Sequence, residues 1–154
     1  MRFWDTSAIL PLLLAEPESE KVEPLLRRDP ELVLWWGTAL EVQSALARAG
    51  RKGNLGEAEQ RMAQRILERL RTSAFEIQPL EETRARAVRL LAVHALRAGE
   101  ALQLAAALVW CRERTRGVSF VCLDERLRTA ATLEGFKVLP YADEIHEPDP
   151  DGEY

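Results

Sequence analysis

The sequence predicts a three-layer α/β/α domain with a mainly parallel central sheet. Three observations predict it. Short apolar runs alternate with longer stretches whose apolar residues recur at helical spacing. The first run, ending Phe3-Trp4, lacks the polar alternation of a half-solvated strand, so it belongs inside a sheet covered on both faces. Two runs end directly in a carboxylate, Asp5 and Asp124, where a helix begins. In open α/β sheets that carboxyl edge is where ligands bind.

The elements follow in order. Met1 to Trp4 is the first strand, and Thr6 to Leu14 the helix after it. Pro17-Glu18-Ser19-Glu20 opens a second short helix, to about Arg28, with acids in its first turn. Asp29-Pro30 stops it, because the residue before proline avoids helical geometry. Glu31 to Trp36 is the second strand, Gly37 the turn, and Thr38 to Ala49 a helix. Gly50, Gly53 and Gly56 punctuate a basic loop. Leu55 to Thr72 is a long helix with Met62, Ile66 and Leu70 on one face, and these two helices are expected to form a hairpin projecting from the sheet. Phe75 to Gln78 is the third strand, and Glu81 to Ala95 an Arg-rich helix. Gly99-Glu100 opens another helix, with Ala101, Leu102, Leu104, Ala105 and Leu108 as its apolar face. Ser119 to Leu123 and Lys137 to Leu139 complete the strands, with a helix starting at Asp124 between them. The domain spans 1–140. Residues 141–154 form an acidic tail expected to be flexible.

Composition narrows the function. A chain of 154 residues, 47% hydrophobic, makes one domain with a real core. Cys111 and Cys122 cannot build a disulfide framework, and a buried thiol in a cytoplasmic protein is expected. The apolar stretch Ala8 to Ala15 is too short to span a bilayer and is broken by Pro11, so no membrane role is read from it. The net charge of −4 is unevenly spread. Residues 143–154 hold six acids and no Lys or Arg; without them, 19 acids face 21 bases. The body therefore does not exclude a polyanionic substrate.

Four acids stand at helix starts beside strand ends: Asp5, Glu41, Glu100 and Asp124. Each has a purely structural reading. Asp5 and Asp124 fit plain N-caps. Thr38-Ala39-Leu40-Glu41 fits a capping box. Glu100 suits the positive end of its helix dipole. Gathered at one sheet edge, however, they would repel one another unless a cation neutralised them. Mg²⁺ or Mn²⁺ takes such oxygen ligands and can activate water against a phosphate. Other chemistries find no support: there is no Gly-rich phosphate loop, and His94 and His146 have no companion at metal or triad spacing.

The ordered set of motifs resembles the PIN domain family, and within it the VapC-type toxins. The resemblance rests on Phe3 to Leu10, Thr38 to Arg48, Leu96 to Ala107, and Phe120 to Leu127 with Ala130 and Gly135. It implies a Mg²⁺- or Mn²⁺-dependent endoribonuclease, the toxin of a toxin–antitoxin pair. Asp5, Glu100 and Asp124 would lie nearest the metal, with Glu41 completing the cluster directly or through water. Thr6 or Ser7 would position a phosphate or a metal-bound water. RNA as substrate, a small antitoxin protein as partner, a homodimer and a cytoplasmic location are also implied.

Three positions depart from the family pattern: Glu100 stands where Asp is usual, Gln103 where His is frequent, and Cys122 where a hydroxyl residue is frequent. These departures support one alternative, a catalytically degenerate PIN domain acting as a binding module. A housekeeping or repair nuclease of the same fold is a second alternative, which the sequence does not separate from the toxin reading. Arg84, Arg86, Arg89 and Arg97 could form a phosphate-contacting strip, or a solvated helix face with local ion pairs. Of Trp35 and Trp36, at least one is expected in the core.

Overall fold

The structure is a computed structural model and describes residues 1–145. The chain runs β1 (Arg2–Trp4), α1 (Thr6–Leu13), α2 (Ser19–Arg28), β2 (Leu32–Trp35), α3 (Thr38–Arg51), α4 (Glu57–Ser73), β3 (Phe75–Ile77), α5 (Glu81–Val93), α6 (Ala98–Trp110), β4 (Ser119–Val121), α7 (Glu125–Leu133), β5 (Lys137–Leu139) and α8 (Ala142–Ile145). The expected flexible tail begins with α8, and from residue 146 onward lies outside the described residues. Among the described residues no helix is long and apolar enough to cross a membrane.

All five strands pair in parallel, in the order β3-β2-β1-β4-β5. β1 is central, with Phe3 opposite both Val33 and Phe120. The chain builds outward from β1 through β2 to β3, then returns to the other side of β1. This reversal puts the switch point of the sheet between β1 and β4, where an open α/β sheet forms its crevice.

Successive strand residues face opposite sides of the sheet. Phe3, Val33, Trp35, Phe120 and Cys122 pack with Ala87, Leu104, Leu108 and Leu127 from α5, α6 and α7. Trp4, Leu32, Leu34 and Val121 pack with Ile9, Val22, Leu46 and Leu67 from α1 to α4. This two-sided burial explains the apolar character of the strands: Phe3, Trp4, Val33, Phe120 and Val121 are all fully buried.

Two expectations are corrected. The α3–α4 hairpin does not project: Val42, Leu46, Ala63 and Leu67 are buried in the same layer as α1 and α2. The buried stripe of α4 is Ala63 and Leu67, flanked by Ile66 and Leu70, and Met62 is half-exposed. The four-residue spacing found the helix but placed its face about one position off. Of the tryptophans, Trp35 is core and Trp36 lies 47% exposed, edge-on to it.

Phe120 links the strand that carries Asp124 to the centre of the sheet. Its ring stacks on Phe3 at 5.2 Å and tilts against Phe136 at 5.5 Å. Phe120→Ala is expected to cost about 3–5 kcal/mol of unfolding free energy, read as a lower denaturant midpoint at unchanged slope.

Candidate active site

Asp5 is the first residue after β1, and its backbone N–H continues the sheet by donating to the Val121 carbonyl at 2.9 Å. Its extended backbone makes it the N-cap of α1. The side chain is 4% exposed. Oδ2 accepts from the Ser7 N–H at 3.0 Å and the Ser7 hydroxyl at 2.5 Å, and the Cys122 thiol lies at 3.6 Å. No described cationic side chain bonds to this carboxylate. Burial, reinforced by the negative charge of Glu41, raises its pKa to about 6 against the bonds from Ser7 and Cys122.

Ser7 joins the two central strand ends. Its hydroxyl donates to Asp5 and accepts from the N–H groups of Leu123 and Asp124, at 2.9 and 3.3 Å. Its single proton and both lone pairs are thus in use. Cys122, at the end of β4, also lies 3.5 Å from the Asp124 carbonyl, and burial pushes its thiol pKa up. Asp124 itself is the N-cap of α7, with Oδ1 accepting from Leu127 N–H at 2.9 Å. Arg128 locks this turn from behind, donating to the carbonyls of Cys122 and Pro140 at 2.6 and 2.7 Å.

Glu41 lies in the first turn of α3 but does not close a capping box. Gly37 is the N-cap, where a Cβ would run into the Trp35 indole nitrogen. The Glu41 carboxylate turns instead across the sheet edge: Oε2 accepts from the Thr6 hydroxyl at 2.7 Å and from Gln103 Nε2 at 3.3 Å. Glu100, in the first turn of α6, reaches back to the Arg97 N–H at 2.8 Å. That bond to the cap N–H goes beyond the dipole reading of Glu100, while the N-cap readings of Asp5 and Asp124 both match the structure.

All four acids line one cleft of about 660 Å³, together with Thr6, Ser7, Gln103, Arg48 and Arg97. Of the two readings of Arg84, Arg86, Arg89 and Arg97, the helix face with ion pairs fits Arg84 and Arg86, which are paired with Glu81 and Glu113. Arg97 enters the cleft beside Arg48 of α3. Among the described residues no carboxylate pairs with Arg48 or Arg97. Sequence reasoning missed Arg48, whose only signal was its place seven residues after Glu41, two helical turns along one face. It also gave Gln103 no role.

An all-oxygen donor set of carboxylates and hydroxyls suits a hard divalent cation. The buried, uncompensated charge of Asp5 facing Glu41 fits such an ion. The acids are not closed around a point, however. Among the described residues no three His, Cys, Asp or Glu side chains form a group that could hold a metal ion. Glu100 and Asp124 each commit one carboxylate oxygen to a backbone N–H and keep the other.

The raised pKa of Asp5 has a stability consequence. Between its ordinary value of 3.8 and about 6, the folded chain holds a proton that the unfolded chain has lost. Stability therefore falls as pH rises through this window, by up to about 3 kcal/mol at pH 7. Without divalent cations, Asp5→Asn is expected to be more stable than the parent at pH 7 and indistinguishable from it below about pH 4. Denaturant titrations at the two pH values check this; equal stability at pH 7 would refute it.

Three comparisons place the fold among known proteins. The crystal structure of FitAcB from Neisseria gonorrhoeae superposes with a TM-score of 0.63 at 17% identity, covering 90% of this chain and 96% of that one. The structure of FitAB bound to an IR36 DNA fragment gives 0.61 at 18%, covering 96% and 98%. PAE2754 from Pyrobaculum aerophilum gives 0.58 at 20%, covering 89% and 87%. At these identities the likeness shows the fold. No curated protein sequence matches the chain. The family model described as the PIN domain matches residues 2–133, nearly all of the region that carries the sheet and the cleft, and the chain belongs to the PIN domain family.

Proposed function

We propose that the protein is a divalent-metal-dependent endoribonuclease, the toxin of a toxin–antitoxin pair. The observation that carries the nuclease reading is the convergence of Asp5, Glu41, Glu100 and Asp124 on one cleft that also holds two arginines with no carboxylate partner among the described residues. The toxin assignment rests on the resemblance to VapC-type toxins, as does the small antitoxin protein expected to cover the cleft. A cytoplasmic location goes with that reading.

Asp5, Glu41, Glu100 and Asp124 would hold the cation, Mg²⁺ or Mn²⁺. When bound, it supplies activation of water and neutralisation of charge building on a phosphate. The chain's own residues do the rest. Arg48 and Arg97 bind and orient the phosphates on either side of the scissile bond, a task suited to planar guanidinium groups. Ser7 and Thr6 keep Asp5 and Glu41 in place, rather than spending their hydroxyls on substrate. A homodimer is supported by α5. Leu80, Val88 and Leu91 are exposed there and line an apolar groove of about 480 Å³ with Trp35, Ala98 and Leu102.

One observation favours a second reading, a PIN domain that binds without cleaving: Glu100 and Asp124 both rest on helix caps. Cleavage assays separate the two. Purified protein is expected to cut single-stranded RNA with Mg²⁺ or Mn²⁺ and to stop with EDTA, and Asp5→Asn or Asp124→Asn should lower kcat by about 100-fold or more. Equal activity in parent and variants would sink the enzyme reading. Arg48→Ala and Arg97→Ala should each weaken RNA binding and flatten the plot of log affinity against log salt by about 0.7, one phosphate contact to a single strand. An unchanged slope would remove that residue from the RNA path.

A further inference from the structure

Gln103 is a polar side chain buried to 1% exposure on an otherwise apolar helix face, between Ala101 and Leu104 of α6. Its amide nitrogen meets three oxygens from two other helices: Thr6 Oγ1 at 2.7 Å, Thr38 Oγ1 at 3.1 Å and Glu41 Oε2 at 3.3 Å. The amide orientation is fixed by chemistry. An ionised carboxylate only accepts, so the nitrogen must face Glu41. The other end of the amide, Oε1, is then buried without any partner.

An orphaned buried carbonyl costs stability, and an apolar side chain of similar length would avoid that cost. A residue retained only for packing would not be expected to carry it. The amide does, however, fix one end of Glu41. Thr6 accepts from Gln103 and donates to Glu41, so both Thr6 and the amide converge on Oε2. The other oxygen, Oε1, has no hydrogen bond among the described residues and lies beside Gly99, where a Cβ would stand 3.6 Å away. Gly99 and Glu41 both line the cleft.

We infer that Gln103 is a positioning residue of this site: its amide, with Thr6, clamps one oxygen of Glu41 so that the other is presented to the cleft. The inference rests on the metal-dependent nuclease reading for its consequence, but not for its geometry. Partners that orient a ligating group typically change metal affinity or activity 10–100-fold when removed.

The test uses the whole protein with two substitutions. Gln103→Met keeps the length and removes the donor; Gln103→His keeps an N–H donor. Gln103→Met removes the orphaned oxygen but also takes the amide donor from the buried Thr38 hydroxyl, so stability in EDTA is measured first and every assay is run where the variant is fully folded. Its Mn²⁺ dissociation constant by calorimetry should rise about 10–100-fold. Its kcat should fall over a similar range, with KM for an RNA oligonucleotide within about twofold, as for a residue that touches a ligand rather than the substrate. Gln103→His should restore part of both. A Gln103→Met protein that loses stability while Mn²⁺ affinity and kcat hold would overturn the inference and make Gln103 a packing residue. If the parent neither binds Mn²⁺ nor cleaves RNA, the nuclease reading fails by itself. The metal-free crystal structure of Gln103→Met then decides the positioning: Glu41 leaving its Thr6 contact supports it, and Glu41 staying put refutes it.

Discussion

The site depends on a carboxylate buried at the end of the central strand. β1 is covered on both faces, so the residue that follows it has little access to water. Placing Asp5 there costs desolvation, which the Ser7 bonds offset only in part. The rest of the cleft is arranged around that cost. Ser7 spends its whole hydroxyl on joining Asp5 to the end of β4. Cys122 closes the apolar side. Glu41 adds a second negative charge on the open side, which makes Asp5's position worse for folding. A cleft that raises its own electrostatic cost gives up stability, which is the pattern of a functional site.

The four acids differ in how firmly the fold holds them. Glu41 is tied to side chains of two other helices, whereas Asp5 caps its own helix through Ser7 and meets another element at the Cys122 thiol. Glu100 and Asp124 are tied to the N–H groups of their own helices. A cap of this kind is worth about 1 kcal/mol. Glu41 is therefore held by tertiary contacts and Glu100 and Asp124 by local ones, with the longer Glu100 among the latter. The departure from the shorter Asp usual in the family falls where the chain has rotamers to spare.

The sheet was legible in the sequence because strands buried on both faces must be apolar throughout, and because Asp5 and Asp124 mark helix starts with a recognisable N-cap. Strand bounds came within one or two residues for the same reason. Contacts between elements were not legible. Nothing local distinguishes a Glu in a capping box from Glu41, which turns away to meet α1 and α6. Gln103 sits in an Ala- and Leu-rich face where spacing signals packing, and its hydrogen bonds come from Thr6 and Thr38, 97 and 65 residues away in the chain. Arg48 became a cleft residue only once α3 was laid against α1. The α3–α4 hairpin packs onto the sheet because Ala63 is small enough for close approach, whereas the larger Met62 drew the eye to the wrong stripe.

The most direct measurement of the central claim is a crystal structure of the protein soaked with Mn²⁺ at neutral pH, located by anomalous scattering. The account predicts one peak or more in the cleft, about 2.1 Å from an Asp5 oxygen, with a carboxylate oxygen of Asp124 or Glu100 also bound to it. A soaked crystal with no peak there, and with all four carboxylates keeping their present partners, would contradict it.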